Sequence, residues 1–344
     1  METASDNAQT RTASARPTRR EWLQRALGHE VAEPLPASAD ASFRSYWRVN
    51  VDGESLVLMD APPDREDIRP WLDVAKRLAA AGLHAPAIRA DDAEHGYVLM
   101  SDLGSQTLLP AMDADNVDRW YGQAMEAILR MQRDVAVNDL PHYDEQRLMD
   151  ELELMPRWFL GEHLGFTPSC EQWDIVENAH RALINAALSQ PKAFVHRDFH
   201  SRNLMIDGGD LGIIDFQDAV RGPVTYDLVS LLRDCYIEWP EDRVYDWVDA
   251  YREQAISAGL FDADPERFRR WFDLMGLQRH IKVLGIFCRL WYRDGKAGYL
   301  NDLPLVWRYT RTVGRRYPEV ASLIELIEDV LGDRDITQPR VAAA

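Results

Sequence analysis

Two short apolar runs, Leu204-Met-Ile206 and Leu211-Gly-Ile-Ile214, flank Asp207-Gly-Gly-Asp210. A Gly-Gly centre supplies the positive φ of a tight primed turn, so the segment is expected to be a β-hairpin with a two-residue loop. A turn at Gly208 and Gly209 places Asn203 opposite Ile214. Asn203 and Asp215 then leave the open end of the hairpin side by side. Five residues before Asn203, in Phe194-Val-His-Arg-Asp198-Phe-His-Ser-Arg-Asn203, stands a second acid, Asp198.

A carboxylate and a carboxamide held together suit a hard divalent cation whose remaining ligands are phosphates and water. Asp198, in the loop just before, is left to meet a substrate hydroxyl as a base that orients it. These are the parts needed to move the γ-phosphoryl group of ATP, with Asp198 catalytic and Asn203 and Asp215 on Mg²⁺.

His196-x-Asp198-x4-Asn203 with Asp215-Phe216 resembles the catalytic loop and metal motif of the aminoglycoside phosphotransferase branch of the protein-kinase-like fold. Gln217 stands where protein kinases usually carry Gly, which favours the small-molecule kinases. Further stretches resemble the bacterial anomeric kinases of N-acetylmuramate and N-acetylglucosamine: Asp40-Ala-Ser-Phe-Arg-Ser-Tyr46, Met59-Asp-Ala-Pro-Pro63, Gln278–Phe287, Arg293-Asp-Gly-Lys296 and Tyr299–Pro304. The resemblance spans roughly residues 20 to 330. It implies an α+β, bilobal protein-kinase-like fold: a small antiparallel-sheet lobe with one main helix and a large, mostly helical lobe, ATP lying in the cleft. It also implies transfer to the anomeric hydroxyl of both sugars, giving the 1-phosphates from which cell-wall recycling makes UDP-sugars.

Periodicity divides the chain accordingly. Residues 1–20 and 335–344 read as polar, disordered tails. Residues 21–104 read as the nucleotide-binding lobe. It has a helix carrying Trp22, Leu23, Ala26 and Leu27, strands at 42–51 and 55–59, a helix at about 65–81, and strands at 86–90 and 97–101. Residues 105–334 read as the catalytic and substrate-binding lobe, with helices at about 116–132, 175–188, 225–232, 241–258, 265–292 and 302–314. No internal repeat occurs.

For the nucleotide, Ser38-Ala39-Asp40-Ala41-Ser42 is expected to cover the phosphates in place of a Gly-x-Gly-x-x-Gly loop, as in the similar sugar kinases. Met100 and Asp102 fall in the expected connection to the second lobe, which touches adenine in kinase-like folds. The usual small-lobe strand lysine is absent: Met59 takes its position, and the four lysines are Lys76, Lys192, Lys282 and Lys296. Arg44 or Arg48 then stands in for it, since Arg binds phosphate bidentately, or Mg²⁺ carries most of the neutralisation.

For the acceptor, Arg279, Lys282, Arg289 and Arg293 fall within one helical sector of roughly 80° at 100° per residue. The functional reading is recognition of an anion such as the lactyl carboxylate of N-acetylmuramate, with Arg233 as a further candidate; the alternative is a solvated face paired with acidic loops. His196 is expected to be a packed donor in the scaffold. Asp227 is either a brace for the catalytic loop or an ordinary first-turn acid favoured by the helix dipole, and Asp218 a solvated neighbour of the metal site.

A net charge of −18 argues against nucleic acid and anionic membranes as partners. Three scattered cysteines and no apolar run of about 18 residues suggest a cytoplasmic protein. No feature calls for an obligate protein partner. Two other readings stay open: a phosphotransferase for another small alcohol, of the aminoglycoside or choline type, and a non-catalytic nucleotide-binding module.

Overall fold

The computed structural model describes residues 16–39 and 43–340. By their contacts these fall into two compact units, one from the described residues within 16–70 and 86–102, the other from residues 71–85 and 103–340. The class is α+β, as expected.

The first unit begins with α1 (Arg19–Leu27). Thr18 accepts from the Glu21 amide and the Glu21 carboxylate accepts from the Thr18 amide, a reciprocal cap. Its sheet comprises β1 (Leu35–Ala39), β2 (Ser45–Val51), β3 (Glu54–Asp60), β4 (Ile88–Asp92) and β5 (Tyr97–Ser101) in the order β1-β2-β3-β5-β4. All neighbours are antiparallel. Trp22, Leu23, Val49, Leu56, Leu58 and Leu99 form the core beneath it. Residues 16–20, expected as tail, are tied down: the Arg16 guanidinium reaches Asp60 at 2.6 Å and the Pro17 carbonyl accepts from Tyr97 Oη at 2.8 Å.

The second unit takes most of α2 (Arg69–Ala80), which starts four residues later than expected because Pro62 and Pro63 are followed by turns. The chain continues with α3 (Val117–Asp134), α4 (Glu145–Leu152), a π-helical segment (Met155–His163) and α5 (Cys170–Leu188). Then come β6 (Lys192–Val195), β7 (Leu204–Asp207), β8 (Asp210–Ile213), β9 (Val220–Pro223) and α6 (Tyr226–Leu232). It ends with α7 (Glu241–Ser257), α8 (Pro265–Tyr292), α9 (Leu303–Gly314) and α10 (Pro318–Leu331).

Helix α8 is the centre of this unit and is buried along most of its length. At Gly285 a Cβ would lie 2.3 Å from the Leu154 carbonyl carbon, so only glycine lets α8 pass the chain entering the π-helical segment. Sequence periodicity missed β1, β6, β9, α4, the π-helical segment and α10. The four-residue strands β6 and β9 are too short to show alternation, and they pair with each other across more than twenty residues. For α10 the signal was present: Pro318 at the first helical position, then Val320, Leu323, Ile324 and Ile327 at helical spacing.

Residues 335–340, expected as tail, also pack: Ile336 is buried, its carbonyl accepts from His163 Nε2 at 2.9 Å, and the Arg340 amide donates to Tyr292 Oη. No helix of the described residues is long and apolar enough to cross a membrane.

Candidate active site

The hairpin has the register that its turn chemistry requires. Leu204 pairs with Ile213 and Asp207 with Asp210 around Gly208 and Gly209, both at positive φ. One step beyond the ladder, the Ile214 amide donates to the Asn203 carbonyl at 3.2 Å. Asp215 follows with φ +63°, a left-handed conformation unusual outside glycine that turns the chain at the end of β8. Its Oδ2 accepts from Asn203 Nδ2 at 3.2 Å, and its Oδ1 from Gln217 Nε2 at 2.9 Å. Phe216 then packs against Trp71 of α2, ring centroids 5.1 Å apart.

The Asp198 loop is held by its own backbone. Asn203 Nδ2 donates to the Asp198 carbonyl at 3.0 Å, and the Asp198 amide donates to His196 Nδ1 at 3.2 Å. Because Nδ1 accepts, His196 donates from Nε2, to the Ile214 carbonyl at 3.1 Å. His196 is fully buried, and burial holds its imidazole down at about 4, hence neutral. It thus fastens the loop before β7 to the strand before Asp215.

Asp227, in the first turn of α6, accepts the amides of His196 at 2.7 Å and Arg197 at 3.0 Å. Burial pushes its carboxyl up to about 7 against the pull of those amides. It braces Arg197, whose φ of +77° is a second left-handed conformation in the site. Ser201, further along the loop, donates through its amide and hydroxyl to Asp234.

Burial opposes ionisation of Asp198, but the positive charges of Lys282, Arg279 and Arg197 outweigh it and keep the carboxyl below its ordinary value. Two of these cations are anchored by a residue that sequence reasoning did not single out. Glu151 accepts from Lys282 Nζ at 2.8 Å, Arg197 Nη2 at 2.5 Å, Gln278 Nε2 at 3.2 Å and the Tyr143 hydroxyl. Burial resists its charge, yet Lys282 and Arg197 hold its carboxyl down at about 2. Nothing in the pattern around Glu151 separates it from the other acids of Met149-Asp-Glu-Leu-Glu153.

The expected arginine stripe is divided. Arg279 and Lys282 are buried, Arg289 is half-buried, and Arg293 is exposed and pairs with Asp294 at 2.8 Å. Arg233 is 2% exposed, paired with Asp273 at 2.7 Å, and packed over Phe272. It lines a cavity of about 400 Å³ with Trp239, Arg308 and Tyr309.

In the first unit, the backbone of Ser38 and Ala39 is not a loop but the end of β1, Ala39 pairing with Ser45. Asp40, Ala41 and Ser42 lie outside the described residues. Arg44 pairs with Glu66 at 3.1 Å, and Arg48 with Asp102 at 2.5 Å, Asp102 accepting also from Ser55. Met59 and Met100 are buried in the sheet. Asp218 accepts from Gln217 at 3.4 Å.

Asp215 and Asn203 fit Mg²⁺, which takes one or two protein carboxylates or amides and fills its shell with phosphate and water. The Asn203 nitrogen is committed to two acceptors, so its oxygen is the atom for a cation. No group of three or more His, Cys, Asp or Glu that could hold a metal occurs among the described residues.

Residues 33–271 match a family model described as phosphotransferase enzyme family. Among curated proteins, the chain is 46% identical to an N-acetylmuramate/N-acetylglucosamine kinase of Pseudomonas putida, over 86% of this chain and 87% of that one. A protein of the same description from Neisseria meningitidis serogroup B is 40% identical, over 92% and 96%. Among solved structures, choline kinase LicA from Streptococcus pneumoniae superposes with a TM-score of 0.60 at 11% identity, over 85% of this chain and 97% of that one. An ADP-bound aminoglycoside phosphotransferase gives 0.59 at 14%, with the same coverage. At such identities the structural likeness speaks for the fold, which is protein-kinase-like.

Proposed function

The chain belongs to the phosphotransferase enzyme family, and from this we propose that it is an ATP-dependent kinase acting on the anomeric hydroxyl of N-acetylmuramate and N-acetylglucosamine. The relatives that are 40% and 46% identical over most of their length support those acceptors. The observation that carries the chemistry is the Asn203–Asp215 contact at 3.2 Å, with the Asp198 carbonyl on the same amide nitrogen.

Asn203 and Asp215 would hold Mg²⁺, which when bound to ATP neutralises the charge of the β- and γ-phosphates. Asp198 accepts a hydrogen bond from the attacking hydroxyl and aims its oxygen. Kept ionised by the cations around it, it is a weak base that takes the proton late in the transfer. An anomeric hydroxyl is more acidic than an ordinary alcohol, so this suffices. His196, Asp227 and Glu151 touch no reacting atom; they hold the loop and the cations in place. ATP as donor, together with three cysteines that are all unpaired, supports a cytoplasmic setting.

The test is ADP release by the full chain with N-acetylmuramate, N-acetylglucosamine, choline and an aminoglycoside. Turnover is expected with the two amino sugars and lost in Asp198→Asn. Turnover confined to choline or the aminoglycoside would transfer the assignment to another branch of the family.

A further inference from the structure

Most cations around the catalytic loop have an acid of their own. Lys282 and Arg197 share Glu151, Arg233 has Asp273, and Arg202 lies over the Tyr236 ring with Asp302 at 3.9 Å. Arg279 differs. It is 4% exposed, yet no described residue accepts a hydrogen bond from its side chain or forms an ion pair with it, and its Nε is buried without a partner. Its Cζ lies 5.8 Å from the centroid of the Tyr226 ring, beside the loop brace Asp227. Asp234 lies within its electrostatic range but makes no hydrogen bond or ion pair with it; the Asp234 oxygens accept from Ser201 and the Tyr236 amide. In the catalytic loop, Nδ1 of His200 is likewise buried without a partner. A buried guanidinium with no carboxylate hydrogen-bonded to it is costly, and such groups are retained where a ligand completes them.

Resting on the kinase reading above, we propose that Arg279 is a specificity-determining residue that receives the carboxylate of an acidic amino-sugar acceptor. The acceptor hydroxyl must meet Asp198, which lies within electrostatic range of Arg279, so an anionic substituent of the same sugar is the charge brought nearest. A planar carboxylate also matches the guanidinium fork. A neutral acceptor leaves the site to water, which can bridge at modest loss. Arg233 and Arg293, each already paired, offer no such vacancy, and Arg289, whose Nε likewise lacks a partner, is only half-buried.

The test compares kcat/KM of the full chain for N-acetylmuramate, its lactyl carboxamide and N-acetylglucosamine. Wild type should favour the acid over its carboxamide by roughly 10- to 100-fold, the range of a hydrogen bond to a charged group. Arg279→Met should lose most of that ratio and Arg279→Lys part of it. An equal loss on all three sugars would overturn the proposal in favour of a structural role or a contact to the phosphoryl group. So would wild-type indifference to the carboxamide, a result that requires no variant to fold. If no sugar releases ADP, the kinase reading itself fails and this inference falls with it.

Discussion

Asn203 Nδ2 lies 3.2 Å from Asp215 Oδ2, although the whole hairpin separates the two residues in sequence. The contact is made outside the ladder, where the hairpin register and the Ile214–Asn203 backbone bond converge. If the pair holds Mg²⁺ as proposed, Asn203→Ala and Asp215→Asn should each raise the Mg²⁺ concentration needed for half-maximal ADP release. They should also lower kcat by about 10²- to 10³-fold, the usual effect of removing one element of charge stabilisation. A Mg²⁺ titration of steady-state turnover reads both. Unaltered Mg²⁺ dependence in both variants would remove these residues from the metal site.

Asp227 is expected to act through the loop and not on substrate. Asp227→Ala leaves the His196 and Arg197 amides without acceptors. Two buried donors at about 1–3 kcal/mol each should lower the unfolding free energy by about 3 kcal/mol. Urea unfolding measures this, and kcat should fall more than KM changes. A variant of wild-type stability would show that water replaces the carboxylate.

Glu151 makes stability depend on acid. Its folded carboxyl sits at about 2 against an ordinary 4.5, so between those values the unfolded chain binds the extra proton. The contribution is therefore present above pH 4.5 and is lost as pH falls towards 2, by about 3 kcal/mol in all. In Glu151→Gln this part of the pH dependence should vanish. The variant should also be less stable at pH 7 by about 3–5 kcal/mol, since Lys282 and Arg197 lose their common partner. Thermal unfolding midpoints from pH 2 to 7 test both statements.

Gly285 tests the packing of α8. Gly285→Ala drives a methyl into the Leu154 backbone, and overpacking of this kind costs about 1–3 kcal/mol. Gly298→Ala, where a Cβ meets nothing within 4 Å, should stay within about 0.5 kcal/mol. Denaturation midpoints of the two variants should separate accordingly.

Residues 198–215 show what sequence carries by itself. A Gly-Gly turn between two short apolar runs dictates a register within a dozen residues, and the register dictates which side chains meet. The Asn203–Asp215 pair and the hairpin beneath it were therefore legible, as were the long helices α3, α5, α7 and α8, whose pattern is internal to each segment. The arginines were not. Helical spacing put Arg279, Lys282, Arg289 and Arg293 on one face, but whether a guanidinium has a partner depends on acids that distant segments bring to it. Glu151 from α4 and Asp273, six residues before the stripe, answer that question for Lys282 and Arg233. Short-range geometry follows from turn chemistry and alternation, because a few bonds transmit it. Charge compensation in a buried site is settled across the whole chain, and only the tertiary structure left Arg279 without an acid of its own.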